Sequence, residues 1–248
     1  MPIPHKFLQK DWENGFKSNS AILDETPYKP KVLIIGTYNP NTQGAHNLAQ
    51  FYYGRDNYLI PSLHGIFNLQ TTYTQVPPYD NILWPLCNSL QLSFADLITT
   101  VFPTQNGINL IPNSNNVVYL GTQYNLLKDI DLIALNILNE IEWNCEAIAD
   151  FINRTPSIEY VLLTQKSNNI FLQKYIDIKN QCNRELSFRC IYTPTGQSLS
   201  GVPRELFLAF QWLIGQNANP LPHHGFDINW LHQQNIHTFT YNEYTLNF

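Results

Sequence analysis

Two polar side chains follow apolar stretches of the chain at positions where they could do chemistry. Residues 31–37 (KVLIIGT) form a continuous apolar run that leads directly to Asn39, and residues 92–98 (LSFADLI) form a second run that contains Asp96 near its end. A side-chain amide both donates and accepts hydrogen bonds, so Asn39 can orient a water molecule. A carboxylate such as Asp96 can accept hydrogen bonds from a ligand or serve as a base.

A third apolar stretch, residues 186–193 (LSFRCIYT), leads into a short segment rich in hydroxyl groups and glycine. This segment reads PTGQS and precedes a helical pattern over residues 202–214. Hydroxyls and backbone N–H groups at the start of a helix are suited to hold a phosphate. The phosphate-binding candidates here are Thr195, Gly196 and Ser198, and the segment also contains Thr193 and Gln197.

The elements that position these residues follow from hydrophobic periodicity. Short apolar runs predict a buried strand at residues 31–37 and further strands at residues 92–98, 160–164 and 186–193. Apolar residues at helical spacing predict helices within residues 58–69, 82–92, 124–152 and 202–214, whereas residues 99–116 are predicted to form a loop. The tail after residue 216 is expected to hold a short helix and an edge strand.

The alternation of strands and helices predicts an α/β protein, a three-layer α/β/α sandwich with a mostly parallel central sheet. Residues 1–30 are assigned to an N-terminal extension, residues 31–215 to one α/β domain, and residues 216–248 to a C-terminal extension packed on it. Ligands in such sheets bind beyond the carboxyl ends of the strands. This rule points to three loops, which follow residues 37, 98 and 193.

The order and spacing of the motifs resemble those of the uracil-DNA glycosylase superfamily, and most closely its mismatch-specific and hypoxanthine-removing branches. The resemblance covers about residues 31–214. It rests on Gly-Thr-Tyr-Asn-Pro at residues 36–40 after a strand, Tyr-Tyr-Gly-Arg-Asp-Asn at residues 52–57 before an apolar helix, Thr-Gln-Lys at residues 164–166 after a strand, and Thr-Pro-Thr-Gly-Gln-Ser at residues 193–198.

The resemblance implies a DNA base-excision enzyme, which flips a damaged or mismatched base out of the helix and hydrolyses its N-glycosidic bond. Uracil and hypoxanthine are the natural candidate bases. Such cleavage builds positive charge on the sugar and needs a polar group that orients water below it. On this reading Asn39 orients the water and Asp96 reads the base or acts as a base, with no metal or nucleotide cofactor.

The same resemblance assigns the remaining candidates to base and DNA binding. An aromatic platform for the flipped base would come from Tyr53 or Tyr52. Gln197 or Leu199 could fill the gap that the base leaves in the DNA. The base-binding candidates are Thr37, Tyr38, Tyr52, Tyr53 and Asn57. The DNA-binding candidates are Arg55 and the residues of the 193–198 segment named above.

Two alternatives to excision stay open. The uracil-specific branch carries a His in the final motif, where this sequence has Thr193 or Thr195. This difference favours, as the second reading, a non-catalytic module that binds nucleic acid, a nucleotide or a protein on the same scaffold. A third reading is a small-molecule hydrolase or transferase that uses the same cleft.

Composition limits the class of protein. The chain has 248 residues, a formal net charge of −5 and only 13% charged residues, which excludes a long charged disordered chain and a strongly basic nucleic-acid binder. Polar character comes instead from 29 Asn and 16 Gln residues. No apolar run reaches 18 residues, so no membrane span is expected. The start of the chain has no secretory signal and the four cysteines form no CxxC pair, which favours the cytoplasm with free thiols.

Overall fold

The structure is a computed structural model that describes residues 1–44, 51–52, 58–67, 80–104, 108–164, 169–194, 204–214, 225–241 and 243–248. Its strands are β1 (Ile3–Pro4), β2 (Gln9–Asp11), β3 (Lys17–Asn19), β4 (Ile22–Glu25), β5 (Val32–Gly36), β6 (Leu92–Asp96), β7 (Ile98–Val101), β8 (Asn109–Leu110), β9 (Asn116–Tyr119), β10 (Thr122–Asn125), β11 (Ile141–Trp143), β12 (Tyr160–Leu163), β13 (Ser187–Cys190), β14 (Thr238–Tyr241) and β15 (Tyr244–Asn247). Its helices are α1 (Leu59–Phe67), α2 (Asp80–Leu90), α3 (Asp129–Ile137), α4 (Cys145–Arg154), α5 (Ile170–Gln181), α6 (Arg204–Ile214) and α7 (Ile228–Gln233).

The largest sheet has seven strands in the order β13-β12-β5-β6-β4-β3-β2. Its first four strands run parallel, whereas β4, β3 and β2 are joined to them and to one another in antiparallel fashion. The remaining described strands form the antiparallel sheets β1-β7-β11, β10-β9-β8 and β14-β15. Antiparallel pairing therefore predominates, and the prediction of a sandwich built on a mostly parallel central sheet is wrong.

The four predicted strands are confirmed as β5, β6, β12 and β13. Every residue of β5, β6 and β12 is buried, as expected of strands covered on both faces. Alternate side chains enter two separate cores: Val32 and Ile34 pack in a cluster with α1, α2 and α6, whereas Leu33 and Ile35 pack in a second cluster with α4 and α5. The continuous apolar runs in the sequence thus indicate strands that lie between two layers of helices.

The first 30 residues extend the large sheet. Strands β4, β3 and β2 form its antiparallel half, and β1 pairs with β7 instead. The β3–β4 connection turns through Ser20 and Ala21, which both have positive φ, near +50°. Two consecutive residues with positive φ are typical of the tight turns that match the twist of a β-hairpin, although Gly or Asn is usual there. The segment assigned to an extension therefore supplies strands to the main sheet.

The prediction of a loop at residues 99–116 is wrong, because this stretch contains most of β7, all of β8 and the first residue of β9. The helices predicted within residues 124–152 are present as α3 and α4, but the strand β11 lies between them. Asn139 has φ +58°, a left-handed conformation that commonly ends a helix, so α3 cannot continue into α4. Periodicity alone did not place this break because apolar residues continue on both sides of it.

Arg184 ties the end of α4 to the strand that follows. Its guanidinium group donates hydrogen bonds to the carbonyl oxygens of Ile152, Thr155 and Ile158, at 3.1, 2.9 and 2.7 Å. Carbonyl groups in the last turn of a helix lack intrahelical partners, and a cation near them is favourable. One side chain therefore satisfies three backbone acceptors between α4 and β12.

We expect Arg184→Ala to lower the free energy of unfolding by about 2 kcal/mol, because it removes three hydrogen bonds from a charged donor to partly buried carbonyl groups. Urea unfolding followed by circular dichroism measures the change. Arg154→Ala is the matched control, since it removes an exposed ion pair to Asp24 and should cost less than about 1 kcal/mol. Equal losses of unfolding free energy in Arg184→Ala and Arg154→Ala would contradict the role given to the Arg184 hydrogen bonds.

Candidate functional site

The carboxyl ends of the four parallel strands meet at one edge of the large sheet. Gly36 at the end of β5 pairs with Asp96 at the end of β6, and Leu163 of β12 pairs with Ile35 and with Cys190. The segments after β5 and β13 therefore start at the same edge as Asp96, as the sequence predicts. The loop expected after residue 98 is absent, because the chain there continues as β7.

The two predicted catalytic residues are in direct contact at this edge. The Asn39 side-chain nitrogen Nδ2 donates a hydrogen bond to Asp96 Oδ2 over 2.6 Å. The exposed fractions are 7% for Asn39 and 1% for Asp96, so the carboxylate lies beneath the amide. The two residues are 57 positions apart in sequence, and the parallel pairing of β5 with β6 brings them together.

A third residue, His5, completes the cluster from the N-terminal segment. Its Nε2 atom lies 2.7 Å from Asp96 Oδ2, and its side chain is fully buried. The backbone N–H of Phe7 donates to His5 Nδ1 over 3.0 Å. Because Nδ1 accepts this hydrogen bond, it carries no proton, and the imidazole is the neutral tautomer with its proton on Nε2. His5 therefore donates to Asp96 as a neutral group.

The charge of the Asp96 carboxylate is met by hydrogen bonds, since within the described ranges no Lys or Arg forms an ion pair with it. Hydrogen bonds to an ionised oxygen are stronger than those between neutral groups, and here two N–H donors converge on Oδ2. The pKa of the nearby Tyr52 is raised well above its usual value by burial and, secondly, by the charge of Asp96.

Backbone hydrogen bonds hold the N-terminal segment across the loop that carries Asn39. The Lys6 N–H donates to the Asn39 carbonyl oxygen over 2.7 Å, and the Asn41 N–H donates to the Pro4 carbonyl oxygen over 2.9 Å. The Tyr38 hydroxyl donates to the Ile3 carbonyl oxygen over 2.6 Å. We call residues 3–7 the N-terminal strap. The strap holds the Asn39 loop through these hydrogen bonds, and the loop is also attached directly to the end of β5.

The end of β6 is held by the tight β3–β4 turn and by the start of α4. The Asp96 N–H donates to the Ala21 carbonyl oxygen over 3.1 Å. The buried Asn144 side chain donates to the carbonyl oxygens of Ser20 and Asp96, at 2.5 and 3.1 Å. The two residues with left-handed backbone thus lie against the Asp96 backbone, and backbone strain of this kind often accompanies functional sites.

The described base-binding candidates are involved in packing. Tyr52 is fully buried, its ring stacks on Phe94 at 5.8 Å between centroids, and its hydroxyl lies 2.7 Å from Ser18 Oγ. Tyr38 is also buried, and its hydroxyl bonds the N-terminal strap. Thr37 is partly exposed and accepts a backbone hydrogen bond from Ile98. None of these contacts tests base binding, which stays a prediction.

The predicted DNA-binding segment is described only at its first residues. Thr193 is partly exposed, and the carbonyl oxygen of the next residue, Pro194, accepts a hydrogen bond from the Tyr58 N–H at 2.8 Å, just before α1. The other candidates, Tyr53, Arg55, Asn57, Thr195, Gly196, Gln197 and Ser198, lie outside the described residues.

The cysteines contribute no reactive thiolate to the site. All four are free, and burial raises the pKa of Cys145 to about 11 and that of Cys190 to about 12. Both therefore stay protonated near neutral pH. Across the described ranges, no three or more His, Cys, Asp or Glu side chains converge in a way that could hold a metal ion.

Sequence reasoning missed His5 and Asn144. His5 lies in a segment that carries no periodic pattern, and its partner Asp96 is 91 positions away. Asn144 precedes a helix, where an Asn is ordinarily interpreted as a cap. Neither residue type nor spacing could have revealed these contacts, because both depend on pairing between distant segments.

Comparisons with known proteins do not identify a relative. No protein-family model, no curated protein and no solved structure matches the chain. The site must therefore be interpreted from its own geometry.

In the part of the chain that is described, no helix has the length and apolarity required to cross a membrane.

We expect Asn39→Asp to be destabilising in a pH-dependent way, because it replaces a donor to Asp96 with a second carboxyl group. Two carboxyl groups at hydrogen-bond distance keep one proton between them in the folded state, whereas both ionise near pH ~4 in the unfolded chain. The folded state then binds more protons, so its stability falls as pH rises above that value, by about 3 kcal/mol at neutral pH.

Urea unfolding at several pH values measures this effect. Asn41→Asp is the matched control, because Asn41 is exposed and an added charge there remains solvated. An Asn39→Asp variant with the same pH dependence as the control would show that Asn39 is not the donor to Asp96.

Proposed function

We propose that the protein hydrolyses the N-glycosidic bond of a damaged or mismatched base in DNA, as a glycosylase of the uracil-DNA glycosylase type. The observation that carries the proposal is the Asn39 amide held by the buried Asp96 carboxylate at the carboxyl edge of the parallel strands. This is the edge at which α/β sheets bind their ligands. The segment that begins at Thr193, which resembles the DNA-binding motif, starts at the same edge.

The polarity of the amide supports a water-orienting role. Because Nδ2 donates to Asp96, the other polar atom of the amide, Oδ1, is an acceptor. An acceptor is what an attacking water molecule needs, since the water must donate a hydrogen bond to it while its oxygen lone pair approaches the sugar carbon. The bond from that carbon to the base breaks, and the base departs with the bonding electrons. The new bond joins the water oxygen to the sugar carbon, and the proton that the water loses passes to the solvent.

The buried charge supports the same reaction. As the glycosidic bond breaks, positive charge develops on the sugar, and a fixed negative group in a water-poor environment stabilises it. Asp96 supplies such a group, because His5 is neutral and does not cancel its charge. Asp96 acts through Asn39 in this scheme, since only 1% of its surface is exposed.

A second candidate function is a binding module without turnover, which recognises nucleic acid, a nucleotide or a protein on the same scaffold. The observation that favours it is the burial of both titratable members of the cluster, Asp96 and His5. Neither side chain is open to transfer a proton to or from a substrate. Asn39 alone is a weak catalyst, because an amide cannot act as a strong base.

The proposal includes DNA as the partner, no metal or nucleotide cofactor, and the cytoplasm as the compartment. The four free cysteines support a reducing compartment.

The test is a cleavage assay on labelled oligonucleotides that contain uracil, hypoxanthine or a G·T mismatch, with alkali used to cut the resulting abasic sites. We expect the wild type to cleave at least one of them and Asn39→Ala to be slower by about 100-fold, the usual cost of losing one oriented polar group. Asn41→Ala, at the exposed neighbouring amide, should cleave like the wild type.

The same oligonucleotides separate the two candidate functions. No cleavage by folded wild-type protein on any substrate would overturn the glycosylase proposal. Tight binding without cleavage, weakened by Asn39→Ala and not by Asn41→Ala, would then support the binding module.

A further inference from the structure

We infer that His5 is a positioning residue, which acts through Asp96 to keep the carbonyl oxygen of the Asn39 amide, Oδ1, presented to the reacting water. The catalytic consequence rests on the proposed function, whereas the orientation of the amide is a property of the folded protein alone. The inference concerns the N-terminal strap, which lies outside the region of family resemblance.

The inference starts from a chain of hydrogen bonds with a defined direction. The Phe7 N–H donates to His5 Nδ1, His5 Nε2–H donates to Asp96 Oδ2, and Asn39 Nδ2–H donates to the same oxygen. Every donor in this chain points toward the carboxylate. The direction at Asn39 is therefore the one that leaves Oδ1, and not the NH₂ group, on the other side of the amide.

The His5 ring is fixed by its neighbours as well as by its hydrogen bonds. The rings of Phe7, Tyr38 and Tyr52 lie at centroid distances of 5.7, 5.9 and 6.0 Å from it. All three neighbouring side chains are buried. An imidazole clamped in this way cannot rotate to exchange its two nitrogen atoms, so Nε2 stays directed at Asp96.

Loss of the His5 donor removes one of the two N–H groups that hold Asp96 Oδ2 in place. The carboxylate can then turn about its Cβ–Cγ bond, and the Asn39 amide loses the fixed partner that sets its direction. Oδ1 and the NH₂ group of the amide are then no longer held in one arrangement, so Oδ1 is not kept in position to accept a hydrogen bond from the water.

The hydrogen bonds that join the strap to the Asn39 loop do not involve the His5 side chain. They run from the Lys6 and Asn41 N–H groups and from the Tyr38 hydroxyl, all to backbone carbonyl oxygens. A His5→Gln variant keeps an N–H donor of similar reach, whereas His5→Leu removes the donor and keeps an apolar volume. Comparing these two variants separates the donor from the packing.

The first measurement is NMR of protein labelled with ¹⁵N at asparagine, near neutral pH, with the Asn39 side-chain signal identified by its loss in Asn39→Ala. We expect the wild type and His5→Gln to show one Asn39 amide proton shifted downfield and protected from exchange. In His5→Leu this shift and protection should be lost, while backbone amides of β5 and β6 stay protected. His237→Gln, at an exposed histidine, should match the wild type.

The second measurement is a double-mutant cycle in the cleavage assay. His5→Leu should lower kcat by about 100-fold with little change in KM, the scale expected when a catalytic group is misplaced. His5→Gln should recover most of this loss. His5→Leu combined with Asn39→Ala should be no slower than Asn39→Ala alone, because His5 acts only through Asn39.

The two measurements separate failure of this inference from failure of the proposed function. An Asn39 amide signal that His5→Leu leaves unchanged would overturn the positioning role, whatever the activity. An inactive wild type with the expected NMR changes would overturn the glycosylase and retain the positioning role. Additive losses of kcat in the cycle would show that His5 acts by a separate route and would also overturn the inference.

Discussion

A buried carboxylate that has no Lys or Arg partner among the described residues constrains much of this fold. Asp96 lies at the end of β6, and the two N–H groups that satisfy its Oδ2 atom come from the loop after β5 and from the N-terminal strap. Burying such a charge is costly unless donors are supplied with good geometry. The β5 loop and the strap must therefore both be in place, and the backbone bonds between them ensure that each holds the other.

The same carboxylate lies where the two halves of the large sheet join. On one side β6 pairs with the parallel strand β5, and on the other side it pairs with the antiparallel strand β4. The tight turn before β4 accepts the Asp96 N–H, and Asn144 joins that turn to the start of α4. Asp96 thus connects the parallel strands, the antiparallel strands and the start of α4. The position of Asn39, which bonds Asp96, therefore depends on all three.

The sequence predicts the parts of the fold whose signal is local and does not predict those that depend on distant pairing. Buried strands such as β5 and β12 are recognisable because all their residues are apolar. The placement of Asn39 and Asp96 at one edge follows from the rule for parallel strands. The antiparallel half was missed because β2 and β3 are short and mostly exposed, so they lack an apolar pattern. His5 was missed for a related reason, because its role depends on contact with Asp96, which is 91 positions away in the sequence.

The N-terminal strap has a consequence for how the protein is made. The strap is synthesised well before the residues it contacts, since Asp96 is 91 positions beyond His5. At a synthesis rate of about 5–20 residues per second, on the order of ten seconds pass between synthesis of the strap and synthesis of Asp96. Ile3 and Phe7, buried in the final fold, are exposed to solvent or to chaperones during that interval. Assembly of the site is therefore a late event, which couples its completion to folding of the domain as a unit.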